Sequence, residues 1–148
     1  MKKKILILAI LSSCLFAEFQ ITPEFGGNIG VNNSQSLTYG AYTRIWFGVD
    51  KFVFAPQVRA EFTQDYTNIK GGLILGGEAT DFLTPYIGAS YSYFSQKYKN
   101  SFDLEAGLMF FLPFFSIGIY GNWGMTERTD NNSTKHIFGG GVSLGIPF

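Results

Sequence analysis

The stretch from Lys135 to Phe148 carries the clearest pattern of apolar and small positions in the chain. From Phe138 onward every second residue is apolar or Gly, and the residues between them are small or weakly polar. A period of two over eleven residues is typical of a β-strand with one apolar face and one face of small side chains. The pattern therefore predicts a strand that continues to the last residue.

The same alternation recurs in seven earlier segments, which are separated by clusters of turn residues. In each segment most of the alternate positions are apolar, and most of the residues between them are Gly, Ser, Thr, Asn, Gln or charged residues. Larger residues on this second face are Tyr42, Trp46, Tyr86, Met109 and Tyr120. Together with the last stretch they predict eight strands, at 18–31, 37–49, 52–64, 68–79, 83–95, 101–112, 114–126 and 135–148. Strands of this length suit a tilted crossing of a bilayer, which takes about 9 to 11 residues.

The connections between these segments alternate in character. The first, third, fifth and seventh are polar and mostly longer, whereas the second, fourth and sixth are short. Hairpin connections predict an antiparallel meander, and an even number of strands returns the chain to the side on which it started. We therefore predict an all-β fold, a closed eight-stranded antiparallel up-and-down transmembrane barrel over residues 18–148.

The period of two alone does not say which face of the barrel is apolar. An apolar inside is typical of soluble lipid-binding barrels, and an apolar outside is typical of membrane barrels. The other face is rich in Gly and Ser, which suits a narrow interior, and large aromatic residues of the apolar face collect near strand ends, as at membrane interfaces. We predict two aromatic girdles on an outward apolar face, one formed by Tyr39, Phe62, Tyr93, Phe102 and Trp123, the other by Phe19, Phe47, Phe52, Phe110, Phe115 and Phe148.

Composition and the N-terminus narrow the class of protein further. Aromatic residues make up 18% of the chain and charged residues 15%. Residues 1–17 have the pattern of a cleaved signal peptide, with three Lys, an apolar core and a small exit residue, Ala17. Its removal leaves eight basic and eleven acidic residues, a net charge of −3 that argues against nucleic-acid binding. The single Cys, Cys14, is either a lipidated N-terminus or part of the removed signal.

The segment after residue 17 resembles the small eight-stranded outer-membrane barrels of Gram-negative bacteria, namely the OmpA-type transmembrane domain and the opacity-like proteins. Residues 83–91, LTPYIGASY, are similar to a PYxGaxxxY strand of such families. The final Phe148 resembles the residue that marks the last strand for the barrel-assembly machinery. The resemblance implies a monomer in the outer membrane, in contact with its lipid and lipopolysaccharide, whose C-terminal strand is recognised by that machinery.

Charged residues of both signs lie on the face that is predicted to point inward. Centring the first hairpin near Ser34 places Glu24 opposite Arg44, and centring the third connection near 65–66 pairs Glu61 with Lys70. Charges inside so narrow a barrel must be paired, because an isolated buried ion is costly. We predict an interior charge network that blocks free conduction, formed by Glu24, Arg44, Arg59, Glu61, Lys70, Glu78, Asp103 and Glu105.

The sequence offers little for catalysis or metal binding. Outer-membrane enzymes on this scaffold use a His with a Ser and an acidic partner. The only His, His136, is followed two residues later by Phe138, where the lipid A deacylases have the Ser. One His and no Cys after Cys14 do not build a transition-metal site. We therefore expect no catalytic residue, no cofactor and no metal.

The function expected from the sequence is that of an integral outer-membrane barrel with a filled interior and a structural or surface-interaction role. The first alternative is a narrow pore for ions or small solutes, which would open as the interior ion pairs exchange. A soluble periplasmic lipid-binding barrel would need the apolar face inside, and a lipid A-modifying enzyme would need catalytic partners for His136.

Overall fold

A computed structural model describes residues 19–95 and 98–148 as a barrel of eight β-strands. These are β1 (Phe19–Asn32), β2 (Leu37–Val49), β3 (Phe52–Phe62), β4 (Thr67–Gly77), β5 (Leu83–Phe94), β6 (Ser101–Phe111), β7 (Ser116–Glu127) and β8 (Thr134–Pro147). Every strand end lies within two residues of its predicted position, and β2 agrees at both ends. The predicted signal peptide, including Cys14, lies outside the described residues.

Each strand pairs antiparallel with its neighbour in sequence, and β8 returns to pair with β1. In the closing pair Gly27 lies opposite Leu144. Closure leaves no edge strand, so each strand has a hydrogen-bonding neighbour on both sides. The prediction of a closed eight-stranded antiparallel barrel is confirmed. Within the described ranges, no helix is long and apolar enough to span a bilayer.

Alternation along the strands separates a buried interior from an exposed apolar surface. In β3, Ala55 and Gln57 are buried, whereas Phe52 and Phe54 are exposed. The other strands repeat this arrangement, with apolar side chains outward and mostly polar or small residues inward. The apolar face is therefore on the outside, and the alternative of a lipid-binding barrel with an apolar interior is wrong.

The connections form two ends of the barrel. The loop end consists of 33–36, 63–66, 95–100 and 128–133, and the turn end consists of 50–51, 78–82 and 112–115. The connections at the loop end were predicted to be longer than those at the turn end. In the structure this difference in length is small, and the turn-end connection 78–82 is longer than two of the loop-end connections. Strand β4 ends at Gly77, because the next two backbone amides no longer donate to residues of the neighbouring strands in the regular pattern. The amide of Glu78 donates to the carbonyl of Lys51 in the preceding turn (2.8 Å), and the amide of Ala79 donates to the carbonyl of Leu83 (2.9 Å).

Strands β1 and β8 approach each other closely at a pair of inward glycines. Gly30 lies opposite Gly141, and a Cβ added to Gly141 would overlap the backbone carbonyl oxygen of Ile29. The outward Gly71 differs, since no heavy atom lies within 4 Å of the position of its Cβ. Space therefore requires Gly at position 141 and does not require it at position 71.

Replacing Gly141 by Ala is expected to lower the free energy of unfolding by about 1–3 kcal/mol, because β1 and β8 would have to move apart. Gly71→Ala is the matched control and should change it by about 0.5 kcal/mol or less. Urea unfolding of both variants in detergent micelles, followed by Trp fluorescence, measures the difference. Equal stabilities of the two variants would contradict the steric argument.

Candidate functional site

Glu24 is the centre of the first interior cluster. Its carboxylate is fully buried and accepts hydrogen bonds from Tyr42 Oη (2.7 Å) and Trp46 Nε1 (2.6 Å). Ser116 Oγ donates another at 3.0 Å, and Arg44 supplies the opposite charge, with its Nη2 3.1 Å from Glu24 Oε1. Arg44 lies directly opposite Glu24 in the β1–β2 ladder, in the register that the first hairpin predicted.

The guanidinium of Arg44 packs against two aromatic rings. Its central carbon lies 4.1 Å from the centre of the Tyr42 ring and 5.2 Å from that of the Trp46 ring, within the range of cation–π attraction. A small residue on β8 makes room for this arrangement, since a Cβ added to Gly145 would lie 2.6 Å from Tyr42 Oη and 2.7 Å from Ser116 Oγ. The charge, the rings and the glycine therefore form one packed unit.

Arg59 and Glu105 form a second cluster across the barrel lumen. Two parallel hydrogen bonds join them, Nη1 to Oε2 at 2.8 Å and Nη2 to Oε1 at 3.1 Å, a geometry found in the stronger ion pairs. Tyr86 Oη also donates to Glu105 Oε1 at 3.0 Å, and the guanidinium lies 4.7 Å from the centre of the Tyr120 ring. Because β3 and β6 are not neighbours in the sheet, this pair crosses the interior.

Lys70 joins two further carboxylates toward the loop end. Its Nζ lies 2.9 Å from Glu61 Oε2 and 3.5 Å from Asp103 Oδ2. Asp103 also accepts hydrogen bonds from the hydroxyls of Ser92 and Ser101. All three charged side chains are at most 10% exposed. The interior therefore holds a continuous set of ion pairs rather than an open channel at this level.

The predicted register between Glu61 and Lys70 is wrong by two residues. In the β3–β4 ladder Lys70 lies opposite Arg59, whose Nη1 is 3.5 Å from Glu61 Oε1. The hairpin is centred one residue earlier than expected, because the chain turns at Thr63, whose amide donates to the carbonyl of Tyr66 at 3.0 Å. The Lys70 side chain still reaches Glu61 diagonally, so the predicted ion pair forms in a different register.

Glu78 lies outside the interior network, contrary to the prediction. It follows the end of β4 at Gly77, so the alternation no longer directs it inward, and it is exposed. It lines a vestibule of about 190 Å³ at the turn end together with Asp81. Trp46 and Phe111 also line this vestibule, with their ring centroids 5.3 Å apart.

An apolar layer fills the interior next to this vestibule. Ala55, Ile74 and Met109 have no exposed surface, and they belong to one cluster with Val53 and Trp46. Their inward positions follow from the alternation along β3, β4 and β6. The layer closes the barrel toward the turn end.

Three aromatic residues cover the interior at the loop end, and we call them the aromatic lid: Tyr66, Phe94 and Tyr98. The ring centroid of Tyr66 lies 5.1 Å from that of Phe94 and 5.4 Å from that of Tyr98. Tyr98 is only 5% exposed, and Lys135 Nζ donates to its hydroxyl at 3.1 Å. The strand pattern carried no signal for Tyr98, because this residue lies between two strands.

The described charges of the loop end are largely paired. Arg128 donates to Asp130 through Nη2 (2.6 Å) and Nε (3.0 Å), and these hydrogen bonds hold the pKa of the Asp130 carboxyl below its usual range. Lys99 Nζ lies 2.8 Å from Glu127 Oε2. Both pairs are solvent-exposed, so they contribute little to stability.

The aromatic residues predicted as girdles lie on the outward side of the barrel wherever their side chains are described. Two outward pairs stack, Tyr39 with Phe62 at the loop end (5.7 Å) and Phe47 with Phe54 at the turn end (4.9 Å). Phe115 lies in the connection before β7 rather than in the strand. The side chain of Phe19 lies outside the described part of the structure. The others that are exposed or half-buried outward are Phe52, Tyr93, Phe102, Phe110, Trp123 and Phe148.

His136 lies on the outward face at the loop end, beside Trp123. The two rings stack with centroids 5.9 Å apart, and Trp123 Nε1 lies 3.3 Å from His136 Nδ1 in a hydrogen bond. In residues 19–95 and 98–148, no three His, Cys, Asp or Glu side chains are grouped so as to hold a metal ion.

The fold is similar to three solved barrel structures. The crystal structure of neisserial surface protein A (NspA) has a TM-score of 0.55 and 13% identity, covering 87% of this chain and 95% of that one. A structure from the de novo design of transmembrane β-barrels has a TM-score of 0.57 and 14% identity, covering 85% of this chain and 95% of that one. The solution NMR structure of the designed protein TMB2.3 has a TM-score of 0.55 and 15% identity, covering 84% of this chain and 93% of that one.

No protein-family model and no curated protein matches this chain. Because the identities to the solved structures are this low, the likeness concerns the fold alone. That fold is the eight-stranded transmembrane β-barrel.

Arg59→Ala is expected to lower the free energy of unfolding by about 3–5 kcal/mol, because Glu105 would stay buried without its countercharge. The double variant Arg59→Met/Glu105→Leu removes both charges and should recover most of this loss. Lys99→Ala removes the exposed pair with Glu127, whose side chains are 46% and 49% exposed, and is the control, with an expected loss of about 1 kcal/mol or less.

Urea unfolding of the three variants in micelles gives the comparison. A loss for Arg59→Ala no larger than that for Lys99→Ala would mean that water screens the interior pair. A double variant as unstable as Arg59→Ala would mean that packing, rather than an unpaired charge, causes the loss.

Proposed function

We propose that this chain is an integral outer-membrane protein of a Gram-negative bacterium, with a barrel closed to conduction and a structural or surface-interaction role. The observation that carries the proposal is the exposed apolar surface around the barrel. Phe52, Ile87 and Ile146 are 75%, 64% and 61% exposed, and each belongs to a different strand. A surface of this kind is unfavourable in water and favourable in lipid hydrocarbon.

The filled interior supports a closed barrel. A solute moving along the axis would meet the aromatic lid, then the ion pairs of Lys70, Arg59 and Arg44, and then the apolar layer around Met109. Passage would require buried ion pairs to separate, which is costly in a medium of low dielectric constant. This arrangement favours a closed barrel over the alternative of a narrow pore.

We expect the loop end to face the cell exterior and the turn end to face the periplasm. Strand β1 begins and β8 ends at the turn end, and barrels of this class have their short turns in the periplasm. The name of neisserial surface protein A agrees with a location at the cell surface for a barrel of this fold. The outward aromatic residues at both ends would then contact outer-membrane lipid and lipopolysaccharide.

Leu73→Arg is expected to reduce insertion into phosphatidylcholine vesicles, because Leu73 is exposed on the outward face in the middle of β4. A charge at the bilayer midplane costs about 2–4 kcal/mol, and a charge near the interface about 1 kcal/mol or less. Leu37→Arg, at the first residue of β2, is the matched control. The folded fraction bound to vesicles after refolding measures both. Normal insertion of Leu73→Arg would contradict a lipid-facing role for this surface.

The refolded chain is expected to give a silent baseline in a planar bilayer, because the lid, the ion pairs and the apolar layer occlude the lumen. Protease protection of the same sample establishes that the protein has inserted. Discrete current steps that change in Arg44→Ala would show instead that the barrel is a pore and that the Glu24 cluster controls it.

A further inference from the structure

The interior charges near the loop end do not balance. Five buried charged side chains are linked there by contacts of 3.5 Å or less: Arg59, Glu61, Lys70, Asp103 and Glu105. Three are acidic and two are basic, so within residues 19–95 and 98–148 the linked set carries one negative charge without a matching cation. A buried charge without a countercharge is costly, and proteins neutralise it by a proton, an ion or dense hydrogen bonding.

The contacts show where the excess negative charge lies. Arg59 is engaged by Glu105 through two parallel hydrogen bonds, so this pair is neutral as a unit. Lys70 then lies beside both Glu61 and Asp103, at 2.9 and 3.5 Å. Glu61 has one further cationic contact, at 3.5 Å from Nη1 of Arg59. The surplus negative charge therefore belongs to the two carboxylates around Lys70.

A small cavity adjoins these two carboxylates beneath the aromatic lid. Its volume is about 20 Å³, room for one water molecule or one small ion, and Glu61, Asp103, Lys70 and Tyr66 are among the residues that line it. The cavity is largely enclosed by protein, so an ion inside it would interact with its ligands under weak screening.

Asn68 is another residue that lines this cavity, and its side-chain oxygen has no partner in the described part of the chain. The residue is 2% exposed, and its Oδ1 is buried with no hydrogen-bond partner among the described residues. A buried carbonyl oxygen without a donor destabilises the folded state. A cation in the cavity within reach of this oxygen would satisfy both the oxygen and the excess carboxylate charge.

We propose that the cavity lined by Glu61, Asn68 and Asp103 binds one small monovalent cation. Amide and carboxylate oxygens are the ligands that hard cations prefer. One positive charge makes the linked set neutral, whereas a divalent ion would reverse its sign. The absence of a group of three His, Cys, Asp or Glu residues in the described ranges also disfavours a divalent site. The site concerns stability and is independent of whether the barrel conducts.

The test compares Na⁺ with N-methylglucammonium, a cation too large for the cavity, on the chain refolded in detergent micelles. Chloride salts of equal ionic strength keep the screening of surface charges constant. Urea unfolding should show a saturable stabilisation by Na⁺. The ratio of folded to unfolded protein should be about fivefold higher in Na⁺ than in N-methylglucammonium when Na⁺ is at about four times its dissociation constant.

Two matched variants assign the effect to the cavity. Asn68→Leu removes the unpartnered oxygen and should abolish the difference between the two salts. Asn28→Leu is the control, because Asn28 is also buried with an unpartnered Oδ1 but is not among the residues that line this cavity. It should lower the stability and leave the Na⁺ effect intact.

Equal stability of the unsubstituted chain in the two salts would overturn the proposal and leave a water molecule or a proton in the cavity. A salt effect that persists in Asn68→Leu would also overturn it, by placing the ion elsewhere. Should Asn68→Leu fail to fold, ²³Na NMR of the unsubstituted chain decides the question. Line broadening that excess Li⁺ removes would support the site, and no broadening would refute it.

Discussion

Closure of the sheet is the constraint on which the rest of this structure depends. In lipid every backbone amide and carbonyl must be paired, and a sheet achieves this only when its last strand pairs with its first. With eight strands, closure leaves an interior just wide enough for side chains. The inward residues therefore pack against one another, and glycines such as Gly141 and Gly145 lie where a strand or a large side chain approaches closely. The interior of the barrel is thus a packed core that consists mainly of polar side chains.

A polar core has a physical use in a barrel that is apolar outside. Slipping one strand by a single residue would exchange its two faces and would place Arg59 or Glu24 in hydrocarbon. Ion pairs such as Arg59–Glu105 add little net stability compared with apolar packing, but the wrong register is costly because it separates them. The charges therefore contribute chiefly to the choice of register, whereas the outward apolar residues favour the membrane.

The fold and part of the interior could be predicted from the sequence, and the reasons can be given residue by residue. The period of two fixed the strands and their faces, and a compact first hairpin fixed the register of Glu24 with Arg44. The predicted register of Glu61 with Lys70 was wrong, because the turn at Thr63 shifts the hairpin by one residue. The predicted inward position of Glu78 was wrong, because β4 ends before this residue. The contacts of Glu24 with Trp46 and Ser116 escaped prediction, because alternation says which side chains point inward but not which of them meet.

The structural similarities show the fold of this chain and leave its function open. A natural surface protein and two designed barrels share this fold at 13–15% identity, so the fold follows from the alternating pattern and from closure, and not from particular residues. A feature that alternation and closure do not specify is therefore informative about this chain. The surplus interior carboxylate and the unpartnered oxygen of Asn68 are of that kind, since neither alternation nor closure requires them and most buried polar groups in proteins are paired. A function particular to this protein is best sought in such residues and in the loop end above them.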